Sequence, residues 1–172
     1  MKKIFKKNYF YYLFIVFWLA LDQLTKFLVA KSLNLYQIVS VIPGFFNLTR
    51  VHNRGAIFGF LGQTSNSLAL IFLNAGALLA FVVVCYYFLK TPPEMFLTRI
   101  AFALVISGAM GNIIDRIFRG FVIDFLDFYI GRLHWPFFNL ADSCITIGAI
   151  LLIYNLFRSQ KKCTPSSSES AS

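Results

Sequence analysis

Residues 1–26 read MKKIFKKNYFYYLFIVFWLALDQLTK, and the fold turns on whether this stretch is a cleaved leader or a lasting membrane span. Lys2, Lys3, Lys6 and Lys7 precede an apolar run that continues to about Phe27. A secretory signal has the same basic start but ends in a small-residue cleavage pattern, and none is present here. DQLTK follows directly. The stretch therefore reads as a membrane anchor, interrupted near its end only by Asp22 and Lys26.

The rest of the chain agrees. Hydrophobic residues make up 58% of 172, aromatics 18% with Phe alone occurring 21 times, and charged residues 13%, about half the usual share. A soluble core of this size cannot absorb so much apolar surface, which points to an integral membrane protein. The net charge of +9 raises nucleic acid as a partner. The basic residues flank apolar runs instead of forming a patch, the pattern of membrane anchoring, so no nucleic acid is expected. Cys85, Cys144 and Cys163 are odd in number and far apart, implying neither a disulfide nor a metal site.

Four apolar stretches predict four transmembrane helices, at about 8–27, 67–89, 100–116 and 140–157. Nine basic residues fall on the side of both termini and seven on the other. The bias is small, and the four-lysine cluster before the first span decides it, placing both termini in the cytoplasm. The segment at about 37–60, QIVSVIPGFFNLTRVHNRGAIFGF, mixes β-branched and aromatic residues with Pro43-Gly44 and Gly55. It reads as short strands and turns on the outer membrane surface, a small β-cradle. Residues 117–138 are expected to be an outer loop with a short helix or extended piece. Residues 1–160 form one membrane domain, and the serine-rich end, 161–172, a disordered cytoplasmic tail.

With this topology all five aspartates meet near the outer surface: Asp22, Asp115 and Asp142 at span ends, Asp124 and Asp127 in the loop. Ionisable groups at membrane depth are costly and point to a functional site. Each also has a plainer reading. Asp22 and Lys26 are spaced as a helical ion pair, as are Asp115 and Arg119. Asn112, Asp115, Arg116 and Arg119 share one helix face. Asn139 and Asp142 are spaced as a helix N-cap with an acid at its third position. Asp124 and Asp127 lie among apolar neighbours, so at least one is a carboxylate without an obvious cation. Ser107, in ISGAMG, has no adjacent base and suits helix packing. His52 and His134 read as solvated or interfacial. Carboxylate chemistry is the best enzymatic reading: two aspartates sharing one proton activate a water for peptide-bond hydrolysis.

Four co-linear stretches resemble one family. They are Asp22-Gln23-Leu24-Thr25-Lys26; Asn53-Arg54-Gly55-Ala56 with Phe58-Gly59; Gly111-Asn112-Ile113-Ile114-Asp115-Arg116 continuing to Val122-Ile123-Asp124-Phe125; and Phe138-Asn139-Leu140-Ala141-Asp142-Ser143. Together they resemble the lipoprotein signal peptidases, signal peptidase II, over about residues 10–157. Ile57 departs from the small residue many members carry there. The resemblance implies a four-helix aspartyl peptidase of the bacterial inner membrane, inhibited by globomycin. It would remove the signal peptide of diacylglyceryl-modified prolipoproteins just before the lipidated Cys. By position it implies a catalytic pair at Asp124 and Asp142 and substrate-holding or site-ordering roles for Asn53, Asn112, Arg116 and Asn139. Asp22, Lys26 and Asp115 fall on supporting positions, and Asp127 is a structural neighbour. No metal or organic cofactor is implied; the partners are prolipoprotein substrates and membrane lipids, and the chain is expected to be a monomer. Rival readings are a small transporter or channel with a polar rim, and a structural membrane partner. A pathway would need polar residues through the midplane, where the second span offers only Asn74.

Overall fold

The apolar runs are helices: α1 at Lys2–Ser32, α2 at Ser67–Lys90, α3 at Phe96–Arg119 and α4 at Leu140–Lys162. The structure is a computed structural model that describes residues 2–55 and 67–162. Residues 56–60 of the expected outer β segment, with Ile57, and most of the expected tail therefore lie outside the described residues. Among the described residues three helices are long and apolar enough to cross a membrane: Asn8–Ser32, Phe96–Arg119 and Leu140–Arg158. The 25-residue first window is roughly 37 Å long at 1.5 Å per residue, more than a hydrocarbon core of about 30 Å. α2 runs over Ser67–Lys90, and among the described residues its apolar stretch is Asn74–Lys90.

Large apolar side chains on three helices face outward. Phe17, Phe72, Leu79, Leu89, Ile150 and Phe157 are each more than half exposed. Such surface is at home in lipid and not in water. α3 is more enclosed, with half of its apolar window buried against 17% for α1 and α4, although Phe96, Ile117 and Phe118 at its two ends are exposed, and the other three helices pack around it. Glycines make the α3–α4 contact close. A Cβ at Gly148 would lie 2.6 Å from the Ala101 carbonyl oxygen, one at Gly108 would strike the Ala141 carbonyl, and one at Gly111 the Asp22 carboxylate. Small residues at a helix interface are what bring polar side chains of neighbouring helices within reach.

At the opposite end, Tyr11, Ile15, Phe88, Ala103 and Ile106 form the core. Arg99, one of the nine basic residues on the side of the termini, is buried there. Its guanidinium lies 4.7 Å from the Tyr11 ring centre and 4.4 Å from that of Phe88, and donates to Asn8 Oδ1 at 2.7 Å. Two aromatic faces and one amide hold the charge out of water.

Four antiparallel strands form one sheet in the order β1-β2-β3-β4, with β1 at Ile38–Ile42, β2 at Phe46–Asn53, β3 at Val122–Ile130 and β4 at Leu133–His134. Half of the sheet thus comes from the segment expected to be an outer loop. α3 runs on to Arg119 and stops at Gly120, whose left-handed φ of 76° lets its N–H bond the Arg116 carbonyl at 3.1 Å. Two residues later the chain is a strand. The β2–β3 register shifts between Leu48 and Val51: Leu48 faces Leu126 and Val51 faces Asp124, so two residues of β2 bulge opposite Phe125. Arg50 ties the sheet to α1, donating to the Ala30 and Leu33 carbonyls at 2.9 and 3.1 Å and so capping that helix.

Candidate active site

The site grows from three local devices joined across the bundle. The first is Lys26, fully buried, whose ammonium has three donors. Asp22 Oδ2 lies at 2.9 Å and Asp115 Oδ2 at 3.2 Å, and Asn112 Oδ1 accepts at 3.0 Å. Two carboxylates and one cation share this centre, and Arg119 also pairs with Asp115. The remaining acceptor sites are used as well. Asp22 Oδ1 accepts the Ala141 N–H at 2.9 Å, at the first turn of α4, where a negative charge complements the helix dipole. Asp115 Oδ2 accepts the Ile123 N–H at 3.3 Å, tying α3 to β3. Gln23 donates to the Gly111 carbonyl at 3.1 Å and to Asp115 Oδ1 at 3.3 Å.

The second device is a capping box at the start of α4. Asn139 Oδ1 accepts the Asp142 N–H at 3.0 Å, and Asp142 Oδ2 accepts the Asn139 N–H at 3.1 Å. The spacing suggested a cap and the family resemblance suggested chemistry. The two are compatible, because capping occupies only one carboxylate oxygen. Asp142 Oδ1 points elsewhere and accepts Asn112 Nδ2 at 2.7 Å.

Asp124, on β3, is the third. It is 2% exposed and accepts Asn53 Nδ2 at 3.0 Å and Asn139 Nδ2 at 2.7 Å. Asn139 therefore touches both aspartates, one through its own backbone and the other through its amide. Burial first, and the Asp142 charge second, push the Asp124 carboxyl from 3.8 up to about 7, against the Asn53 and Asn139 amides and Lys26. Asp124 and Asp142 line one groove of about 600 Å³, walled by Trp135, Pro136, Phe137 and Phe138. Asp142 also borders a second groove of about 290 Å³ between α2, α3 and α4, apolar except for Asn112 and Arg116.

The family model described as signal peptidase (SPase) II matches residues 14–158. The chain belongs to the signal peptidase II family. It is 45% identical over 144 residues to a lipoprotein signal peptidase of Syntrophus aciditrophicus (strain SB), covering 84% of this chain and 89% of that one. Against the lipoprotein signal peptidase of Burkholderia mallei (strain SAVP1) the identity is 49% over 139 residues, 80% of this chain and 81% of the other. A solved bacterial membrane enzyme superposes with a TM-score of 0.78 at 33% identity, covering 91% of this chain and 93% of its own. A second gives 0.72 at 36%, with 85% and 91% covered. Members of the signal peptidase II family are proteases, and so is this chain.

In this signal peptidase the structure brings together Asp22, Lys26, Asn53, Asn112, Asp115, Asp124, Asn139 and Asp142 in one hydrogen-bonded network. Arg116 faces the apolar groove, and its buried Nε has no partner among the described residues. Among those residues no three His, Cys, Asp or Glu side chains are grouped as metal ligands; the oxygens of Asp22, Asp115, Asp124 and Asp142 face Lys, Arg, amide and backbone donors. Asp127 stands apart, 1% exposed, bonded to Asn47 and His134. The two histidines, read as solvated or interfacial, also have specific partners. His52 stacks on Phe121 at 3.7 Å, and burial first, with Arg50 and Arg54, holds its pKa below 6.5. Gln23 was passed over, although its position beside Asp22 in DQLTK was the available signal.

Proposed function

We propose that this chain is an aspartyl endopeptidase of the bacterial inner membrane that removes the signal peptide from diacylglyceryl-modified prolipoproteins, cutting before the lipidated Cys. The observation that carries the proposal is the pair Asp124 and Asp142, lining one groove and joined by Asn139, which bonds to both. Asp124, held near 7 by burial and by its neighbour, keeps a proton close to neutral pH. It donates that proton to the carbonyl oxygen of the scissile bond as water attacks the carbonyl carbon. Asp142 takes the proton the water loses and passes it to the leaving nitrogen, while Asp124 takes back a hydroxyl proton of the gem-diol as the C–N bond breaks and the new carboxyl group forms, so the pair ends the cycle with the single proton it began with. Asn53, Asn112 and Asn139 fix the carboxylates, while Asp22, Lys26 and Asp115 hold Asn112 and the start of α4 in place. Asp142 borders both grooves, which suits a substrate with apolar groups on either side of the cut. Arg116, in the apolar groove, is available to a peptide carbonyl.

In this reading the chain crosses the membrane four times as a monomer, both termini cytoplasmic, with the dyad near the outer surface. Anchoring the substrate by its signal helix and acyl chains turns a dilute encounter into a positioned one. The test is to incubate the detergent-solubilised protein with a diacylated prolipoprotein and with the same prolipoprotein lacking the lipid, following signal-peptide loss by gel shift. Cleavage confined to the lipidated form supports the reading. Equal cleavage of both, or of neither, rejects it.

A further inference from the structure

Asp127 is as buried as Asp124 but takes no part in the dyad network. We propose that Asp127 and His134 are a positioning pair that sets the wall of the 600 Å³ groove, an inference that rests on the reading of that groove as the substrate site. Asp127 Oδ1 accepts His134 Nδ1 at 2.7 Å and Oδ2 accepts Asn47 Nδ2 at 2.9 Å. The His134 ring lies 4.9 Å from that of Tyr129 at an interplanar angle of 10°, and the Tyr129 hydroxyl accepts the Gly44 N–H at 2.9 Å. One half-exposed histidine thus links β4 to a buried carboxylate on β3, itself bonded to β2.

The link is needed because β4 is only the two residues Leu133–His134, too short to hold a hairpin by its own ladder. The next four residues, Trp135 to Phe138, form the groove wall and continue into Asn139 and Asp142. The wall is tethered at its ends. Trp135 N–H bonds the Phe128 carbonyl at 2.8 Å, and Phe138 exchanges bonds with Leu126 at 2.9 and 3.3 Å. Pro136 lies between them and has no N–H to give. Behind the first tether stands the His134–Asp127 bond, a hydrogen bond to a carboxylate out of water, the stronger kind. Asp127 is three residues from Asp124, and odd spacing puts the two on opposite faces of β3. The pair therefore acts on the wall and not on the carboxyl groups that do the chemistry. Loosening it weakens substrate binding and leaves turnover intact.

His134→Phe keeps a ring over Tyr129 but gives Asp127 no donor; His134→Asn places an amide donor near Nδ1 without the ring. Trp18 and Trp135 are the two tryptophans, so in a Trp18→Phe background fluorescence reports the wall alone. For His134→Phe the expected result is a KM raised roughly ten-fold with kcat unchanged, the size of one lost hydrogen bond to a charged group. Acrylamide quenching of Trp135 should rise in parallel. For His134→Asn both should return close to wild type. The proposal is overturned if His134→Phe leaves KM and Trp135 quenching unchanged, if kcat falls in place of KM, or if Phe restores what Asn does not. Should wild type itself fail to cleave, the functional reading fails. Trp135 quenching still judges the pair: increased by Phe and restored by Asn supports it, unchanged overturns it.

Discussion

Replacing Asp124 with asparagine should make the protein more stable at pH 8 relative to wild type while making it inactive. The folded Asp124 titrates near 7 and the unfolded one near 3.8, so between these values the folded chain binds a proton that the unfolded chain does not. Stability therefore falls as pH rises through the window and is lowest above 7. At 1.36 kcal/mol per pH unit the loss is about 4 kcal/mol. The substituted asparagine does not titrate, so the variant escapes it. The exchange has a constant cost. Asn53 and Asn139 each donate to one Asp124 oxygen, and an amide offers only one acceptor, so one of these bonds is lost, for about 1–2 kcal/mol at every pH. Hence the variant should be the less stable protein near pH 4 and the more stable one near pH 8. Their difference should change by about 4 kcal/mol, roughly 8–16 °C in Tm for a chain of this length. Thermal unfolding in detergent with a thiol-reactive dye measures this, since Cys144 is buried in the fold and reacts once it opens. Unfolding curves that stay parallel from pH 4 to pH 9 would refute the reasoning, because no proton would then be held at Asp124.

Lys26→Met should lower stability by about 3–5 kcal/mol, since it leaves Asp22 and Asp115 buried without their shared cation. Adding Asp22→Asn and Asp115→Asn should recover most of that loss, as read from the same dye; a Lys26→Met protein that melts like wild type would contradict the ion-triad account. Gly111→Ala should destabilise although alanine is ordinarily the better helix former by about 1 kcal/mol, because its Cβ falls on the Asp22 carboxylate. Gly76→Ala, with open space around it, should show the ordinary gain, and equal effects at the two sites would rule out the close-approach argument.

What could be read in advance was what helical spacing determines. Asp22 with Lys26, Asp115 with Arg119 and the Asn139–Asp142 cap are local, and each forms as its spacing indicates. The contacts that turn them into a site are not local. Lys26 reaches Asn112 across 86 residues and Asn112 reaches Asp142 across 30, distances no periodicity constrains. VIDFLDF shows no alternation, so its sequence leaves β3 open between a short helix and an extended piece. It is buried on both faces, so apolar and acidic residues alike point inward. For the same reason burial could not separate Asp124 from Asp127, exposed by 2% and 1%; only their partners do, Asn139 for one and His134 for the other. The partners of the histidines, Phe121 and Asp127, could not be read in advance either, because the fold and not local spacing brings them together.

The central claim is that Asp124 and Asp142 are the two halves of one catalytic device. The most direct measurement is signal-peptide release from a diacylated prolipoprotein by wild type, Asp124→Asn and Asp142→Asn, each first shown to keep Cys144 protected from the thiol dye. Wild type should convert the substrate and both folded variants should leave it intact. Full cleavage by either variant would contradict the dyad.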